Sequence, residues 1–267
     1  MANSKTTIED EAEELTRNRV PLIYNVIQKE GEEELARPVS SLFLSGLSAG
    51  LAIFLSVIAI GAIFGNMPNH AHYRLIESFG YTVGFVVVIF GRLQLFTENT
   101  ITVIIPLLAN YSHRRLRQTL LLWGVVFLAN MIGVAIVSAV SVYTNLLPTG
   151  LADAIVAVSQ EYINRSPTQF FMHGIPAGFI IAAIVWMLPS AESNKFAIIV
   201  MLSYLIYLGD FTHVIAGAGE VFVMVFKTTI SISDAVFKSI IPTLFGNIIG
   251  GTLLFSMLAY GQVREEL

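Results

Sequence analysis

Apolar residues dominate the chain from residue 38 onwards, in long stretches separated by short polar connections. The first stretch has no Asp, Glu, Lys or Arg between residues 38 and 73, which exceeds the roughly 20 apolar residues that one transmembrane helix needs. Four stretches of this kind are predicted to be continuous transmembrane helices, at about 39–64, 117–141, 168–188 and 239–261.

Two further apolar stretches are interrupted by polar residues and glycine. The segment GRLQLFTENT separates residues 81–90 from 101–109, and GDFTHVIAGAG separates 196–208 from 221–226. Each half is too short to cross a bilayer alone, so each pair is predicted to form one broken span.

The order of these spans predicts the architecture. Six spans fall into two triples, and the middle span of each triple is broken. Because each half contains an odd number of spans, the second half enters the bilayer in the opposite orientation to the first. Broken helices in corresponding positions of two halves are typical of a transport site near the middle of the bilayer. We therefore predict an all-α membrane protein with six transmembrane helices in two inverted three-helix repeats, over residues 38–262.

Composition narrows the class of protein. Apolar residues make up 55% of the chain, and only 13% are charged, about half the share in soluble domains. The net charge of −4 gives no indication of nucleic-acid binding, and no cysteine is available for a metal site or a disulfide. The sequence contains no P-loop, HExxH or GxSxG motif, so we expect neither an enzyme nor a bound cofactor.

Charge also predicts the topology. Most Lys and Arg residues fall on one side if both termini are cytoplasmic, while Arg74 and Arg165 fall on the other and Arg92 is left inside the membrane. The polar arm of residues 1–37 resembles no cleavable signal peptide. It is interpreted as solvated charged helices or as an arm that contacts the gate or a neighbouring subunit, and residues 263–267 as a cytoplasmic tail.

The polar residues of the two interruptions are the candidates for chemistry. His213 can donate a hydrogen bond or a proton to a passing anion, or it can be a neutral histidine that holds the broken backbone. Thr97 can bind the solute or His213, or it can cap the following half-helix. The apolar Phe85, Leu95 and Phe96 could form a dry constriction, although packing is the commoner role.

Arg92 and Glu98 lie on either side of the first interruption. We predict that they form an internal ion pair, because an unpaired charge in a low-dielectric site is costly. The alternative is a direct role of Arg92 in attracting anions.

Short motifs then indicate a family. LFT in the first interruption, the histidine after glycine in the second, GNIIGG in the last span, ANMIG in the third and IVWM in the fourth resemble the formate/nitrite transporter family. The likeness covers about residues 38–262 and is strongest to the YfdC-like branch.

The resemblance implies an aquaporin-like protomer that assembles as a homopentamer in a lipid bilayer, in the bacterial inner membrane, and passes small monovalent anions. It implies that Thr97 and His213 line the pore. It also assigns Leu95, Phe96 and Phe85 to a cytoplasmic-side constriction and Ile181 to an outer one. We therefore expect a channel for a formate- or nitrite-like weak acid, with proton-assisted passage past His213.

Two departures from the family pattern leave alternatives open. Gly178 and Gly217 occupy positions where transporting members usually carry asparagine. Glycine at both positions would widen the pore and remove hydrogen-bond donors, which predicts a pore for a small neutral solute as one alternative. A non-conducting membrane scaffold or sensor is the other.

Overall fold

The computed structural model describes residues 20–67 and 73–266, without the side chains of Tyr73 and Glu192. This part of the chain is helical and contains no strand. The first nineteen residues of the predicted arm lie outside it. The helices are α1 (Val20–Ala36), α2 (Val39–Asn66), α3 (Tyr73–Phe90), α4 (Asn99–Ala109), α5 (His113–Tyr143), α6 (Thr149–Ile163), α7 (Pro167–Met187), α8 (Lys195–Leu208), α9 (Val214–Phe226) and α10 (Ile232–Val263).

Four helices are long and apolar enough to cross a membrane, namely α2, α5, α7 with its continuation to Ser190, and α10. They correspond to the four continuous spans expected from the sequence. Helix α10 begins at Ile232, earlier than predicted, and contains two π-helical stretches, Ala235–Ile240 and Ile249–Ser256. The pairs α3–α4 and α8–α9 occupy the places of the two predicted broken spans.

The bundle has two ends, named here the terminal face and the opposite face. At the terminal face, α1 packs through Tyr24 and Ile27 against Ile101 of α4 and Val263 of α10. Helix α1 is therefore a packed element, not a free solvated arm. The opposite face carries α6, whose Ile155 packs among residues of α2 and α9.

Glycine lets the long helices approach closely in both halves. A Cβ atom at Gly50 of α2 would collide with the α5 main chain at Asn130. A Cβ atom at Gly178 of α7 would collide in the same way with the α10 main chain at Asn247. Small residues at such crossings allow tight packing where no hydrophobic effect drives helices together. Gly178 is thus a packing position, and our expectation that it widens the pore is wrong.

The two breaks begin with the same turn. Helix α3 closes with a bond from Leu93 N to Val88 O (3.0 Å), and α8 closes with one from Phe211 N to Ile206 O (2.9 Å). The residue before each donor adopts a left-handed conformation, with φ of 49° at Arg92 and 60° at Asp210. This 6→1 bond around a left-handed residue is the Schellman motif that ends many helices.

The second break is shorter than the sequence indicated. Helix α9 begins at Val214, so Gly217, Gly219 and Glu220 are helical residues. Glycine lowers helix propensity by only about 1 kcal/mol per residue, and tertiary packing outweighs that here.

Candidate functional site

The first break is held in place by a single asparagine of α5. Asn130 Oδ1 accepts the backbone N–H of Phe96 at 2.9 Å, and its Nδ2 donates to Gln94 O at 2.8 Å. The same Nδ2 donates to Gly46 O of α2 at 2.7 Å. The side chain therefore satisfies backbone groups that the broken helix leaves without partners.

The second break has the same device. Asn247 of α10 accepts the backbone N–H of Val214 at 2.9 Å and donates to Thr212 O at 2.9 Å and to Gly174 O of α7 at 2.8 Å. Each asparagine thus joins its break to the first helix of the same half. The first break turns near α1 at the terminal face and the second near α6 at the opposite face, as inverted halves require.

His213 and Thr97 meet between the two breaks. Thr97 Oγ1 lies 2.6 Å from His213 Nε2, and both side chains are almost fully buried. His213 Nδ1 accepts the backbone N–H of Ala216 at 3.1 Å, which makes His213 the N-cap of α9. Because Nδ1 is an acceptor, the neutral ring carries its proton on Nε2 and donates it to Thr97.

This contact decides between the two roles predicted for Thr97, a bond to His213 and a cap on the following half-helix. Thr97 does not cap the next half-helix, because its hydroxyl is bonded to His213 and the residue preceding α4, Glu98, makes no side-chain cap bond. The Thr97 hydroxyl accepts from His213, so its own proton is available to a solute.

An aromatic column leads from His213 towards the opposite face. The ring of Phe85 meets the imidazole edge to face at 5.0 Å, and Tyr81 lies 5.1 Å from Phe85. Tyr81 in turn lines a pocket that opens beneath α6. Phe85 therefore lies between His213 and the tyrosine that lines the pocket, and its place in a cytoplasmic-side constriction stays a prediction.

The mouth of the pocket holds a network of opposite charges. Asp210 accepts from Arg74 at 2.8 Å and also from Arg165, which lies between α6 and α7. His173 Nδ1 is 3.6 Å from the same carboxylate. The two guanidinium groups lie over Tyr207 and Tyr162, at 5.7 and 4.7 Å from the ring centres. Arg74 also lies 3.5 Å from Glu161, so two carboxylates face the two stacked cations.

The space beside Gly217 is filled by a neighbouring side chain. A Cβ atom there would overlap the hydroxyl of Tyr162 from α6. The space that glycine leaves is occupied by a phenol, so the expectation that Gly217 widens the pore is also wrong.

The four predicted constriction residues belong to one buried core cluster. Leu95 is buried in the central core, and the ring of Phe96 packs edge to face on Trp123 and Phe127 of α5. Ile181 is buried in α7 and belongs to the same central core. Its place in an outer constriction stays a prediction.

The predicted ion pair between Arg92 and Glu98 does not form. The Arg92 side chain is 87% exposed, and its acidic neighbour is Glu30 of α1, at 3.8 Å. Within the described residues, Glu98 Oε1 is buried without a hydrogen-bond partner. The left-handed turn at Arg92 directs its side chain towards α1, which the sequence pattern could not show.

The sequence pattern gave no indication of Tyr81, Tyr162 or Tyr207, although all three line the pocket. Asn130 and Asn247 were assigned no role either, although they lie inside the motifs ANMIG and GNIIGG. The available signal was an asparagine in the third apolar span of each half.

Comparison with known proteins agrees with this architecture. The family described as Formate/nitrite transporter matches residues 21–261. The inner membrane protein YfdC of Escherichia coli (strain K12) is 34% identical over 95% of this chain and 83% of its own length. The formate channel FocB of the same organism is 23% identical over 87% of this chain and 90% of its own length.

A solved structure has the same fold. A pentameric formate channel with formate bound superimposes with a TM-score of 0.71 at 18% identity, covering 85% of this chain and 98% of that one. With the family match over nearly the whole described region, this establishes the identity of the fold. The chain is a multi-pass membrane protein and a member of the formate/nitrite transporter family.

Proposed function

We propose that this protein is a channel for a small monovalent weak-acid anion, formate- or nitrite-like, with proton-assisted passage past His213. Membership of the family and the fold shared with a formate channel support the class of solute. By analogy with that pentameric channel and with an inner membrane relative, the protein is a homopentamer of the bacterial inner membrane. The terminal face is then cytoplasmic, with residues 38–262 as the transport domain.

The Thr97–His213 pair is the observation that carries the proposal. A bare anion cannot enter a dry pore cheaply, because an isolated charge without partners is very costly to desolvate. The pKa of a weak acid rises as water is removed, so the solute takes a proton and crosses as the neutral acid. The hydroxyl of Thr97, polarised by the Nε2–H of His213, offers a hydrogen bond to the solute oxygen on the way.

A small neutral solute is the second candidate, and one observation favours it. Both arginines that line the pocket are bonded to Asp210, and Arg74 also lies 3.5 Å from Glu161. Within the described residues no other Lys or Arg lines the pocket. The vestibule therefore offers little net attraction to an anion, and a solute that arrives uncharged would not need any.

Formate uptake into proteoliposomes over a series of pH values, against vesicles without protein, tests the proposal. We expect protein-dependent uptake that increases as the pH falls, because more solute is then in its neutral form. His213→Ala should reduce uptake, and His113→Ala, an exposed histidine at the start of α5, is the matched control. No uptake above empty vesicles would refute the anion channel and turn attention to neutral solutes.

A further inference from the structure

Glu220 is a buried acid that the mechanism above does not use. It lies two turns along α9 from His213, is 2% exposed, and lines the opposite-face pocket. Within the described part of the chain, no cation lies within ion-pair distance of it and it makes no hydrogen bond. A carboxyl in this position is expensive unless it has a function, since ionisable groups inside membrane proteins mark solute or proton paths.

The geometry of His213 makes the histidine a poor proton carrier. Its Nδ1 already accepts the N–H of Ala216, so a second ring proton would break the N-terminal cap of α9. His213 can donate a hydrogen bond through Nε2 without this loss. The proton that neutralises the solute therefore needs another source, and Glu220 lies on the path from the opposite face to Phe85.

Within the described residues, the cations that line the pocket form no ion pair with Glu220. Across the pocket, α3 contributes a phenol and a guanidinium, α6 and the connection after it contribute a phenol, a carboxylate and a guanidinium, and α8 with its break contributes a phenol and a carboxylate. These groups are Tyr81, Arg74, Tyr162, Glu161, Arg165, Tyr207 and Asp210. A further buried acid, Glu77, accepts from the Tyr207 hydroxyl at 3.4 Å. The two guanidiniums are engaged with Asp210.

We propose that Glu220 is the proton donor of the opposite-face vestibule and determines that only the neutral form of a weak acid passes on to His213. This inference rests on the proposed function. The O–H bond of the Glu220 carboxyl breaks and an O–H bond forms on the solute anion, which becomes the neutral acid. The carboxylate then regains a proton from a hydronium ion in the vestibule, which becomes water, and no other bond changes. While it is ionised, the carboxylate repels a second bare anion.

Glu220→Gln tests the donor role, because the amide has the same shape and cannot release a proton at these pH values. We expect weak-acid uptake to fall by about tenfold or more and to lose its dependence on pH, in line with the usual contribution of a positioned proton donor. Glu220→Asp should restore part of the pH dependence. The control is Asp153→Asn, an exposed carboxyl on α6, which should match the wild type.

Uptake that keeps the wild-type pH profile in Glu220→Gln would overturn the proposal. So would an equal loss at every pH with an unchanged profile, since that pattern indicates a structural role only. Size-exclusion chromatography of each variant would show whether the protein still assembles.

Infrared spectroscopy gives a readout that needs no transport. At neutral pH, the wild type should show a carbonyl stretch of a protonated carboxylic acid that is missing from Glu220→Gln and present in Asp153→Asn. Absence of this difference would show that Glu220 is ionised and would overturn the proposal even if formate is carried. If the difference is present but the wild type carries no formate, the proposed function fails instead, and the donor role towards weak acids fails with it.

Discussion

The two breaks have the same backbone and different side chains. Each begins with a Schellman turn around a left-handed residue, and each is tied to two helices by one asparagine. At the same offset along the chain, however, Arg92 corresponds to Asp210 and Leu95 to His213. The duplicated scaffold therefore positions two loops, and the substitutions on them decide what each loop does.

The charged residues of the two turns illustrate the difference. Arg92 is almost fully exposed and approaches only Glu30 of α1, whereas Asp210 bonds Arg74 and Arg165 at the mouth of the pocket. At the centre, leucine in one loop and histidine in the other leave a single imidazole donor. The two equivalent loops thus carry different chemistry, with His213 at the centre and a charge network on Asp210 at the mouth of the pocket.

Removal of the asparagines should have the largest effect. Asn130→Ala and Asn247→Ala each delete three buried hydrogen bonds and leave backbone groups without partners. We expect each to destabilise the protein by about 3 kcal/mol or more, since an unsatisfied buried group costs roughly 1–3 kcal/mol. Thermal unfolding in detergent measures this.

Asn66→Ala is the control for this pair, because Asn66 is exposed and bonds only its own helix at Ala62 O. It should change the unfolding temperature little. A large loss for one buried asparagine and none for the other would contradict the structural equivalence of the two breaks.

The sequence predicted the scaffold better than the site. Hydrophobic length alone located the four continuous helices, and interrupted hydrophobicity located both breaks, because lipid imposes these patterns on any spanning segment. The pairing of Thr97 with His213 followed from the expected inversion of the halves. The packing role of Gly178 could not be predicted in this way. The sequence does not distinguish a glycine required at a helix crossing from a glycine that widens a pore.

Charged partners were the least predictable feature. Arg92 and Glu98 are close in sequence, but the turn between them separates their side chains, and the acidic neighbour of Arg92 comes from α1. Likewise, Asp210 meets Arg74 from a helix of the other half. Such pairings depend on tertiary packing, which the spacing of residues along the sequence does not predict.

Substitution of Thr97 should have an intermediate effect, measured on transport. Thr97→Val preserves the shape but removes the hydroxyl that accepts from His213, so formate uptake should fall about two- to tenfold, as expected for one hydrogen bond between neutral groups. Thr97→Ser keeps the hydroxyl and should retain most of the uptake. Equal uptake by the valine and serine variants would show that the hydroxyl does not contact the solute.

The smallest effect should come from relieving the left-handed turns, and it should differ in sign between the breaks. Glycine adopts positive φ without strain, whereas another residue loses roughly 1–2 kcal/mol there, partly offset by the greater freedom of glycine in the unfolded chain. Arg92→Gly removes only an exposed, distant ion pair and should stabilise the protein by at most about 1 kcal/mol.

Asp210→Gly relieves the same strain but leaves Arg74 and Arg165 without their shared carboxylate. The stability lost by breaking a partly buried ion pair exceeds the stability gained by relieving the turn. We therefore expect the free energy of unfolding to fall by about 1 kcal/mol or more. Thr228→Gly is the control, because Thr228 has φ of 59° and forms no ion pair, and it should resemble Arg92→Gly. If Asp210→Gly also raised the unfolding temperature, the charge network at the pocket mouth would contribute nothing to stability, and its role would have to lie in the passage of solute alone.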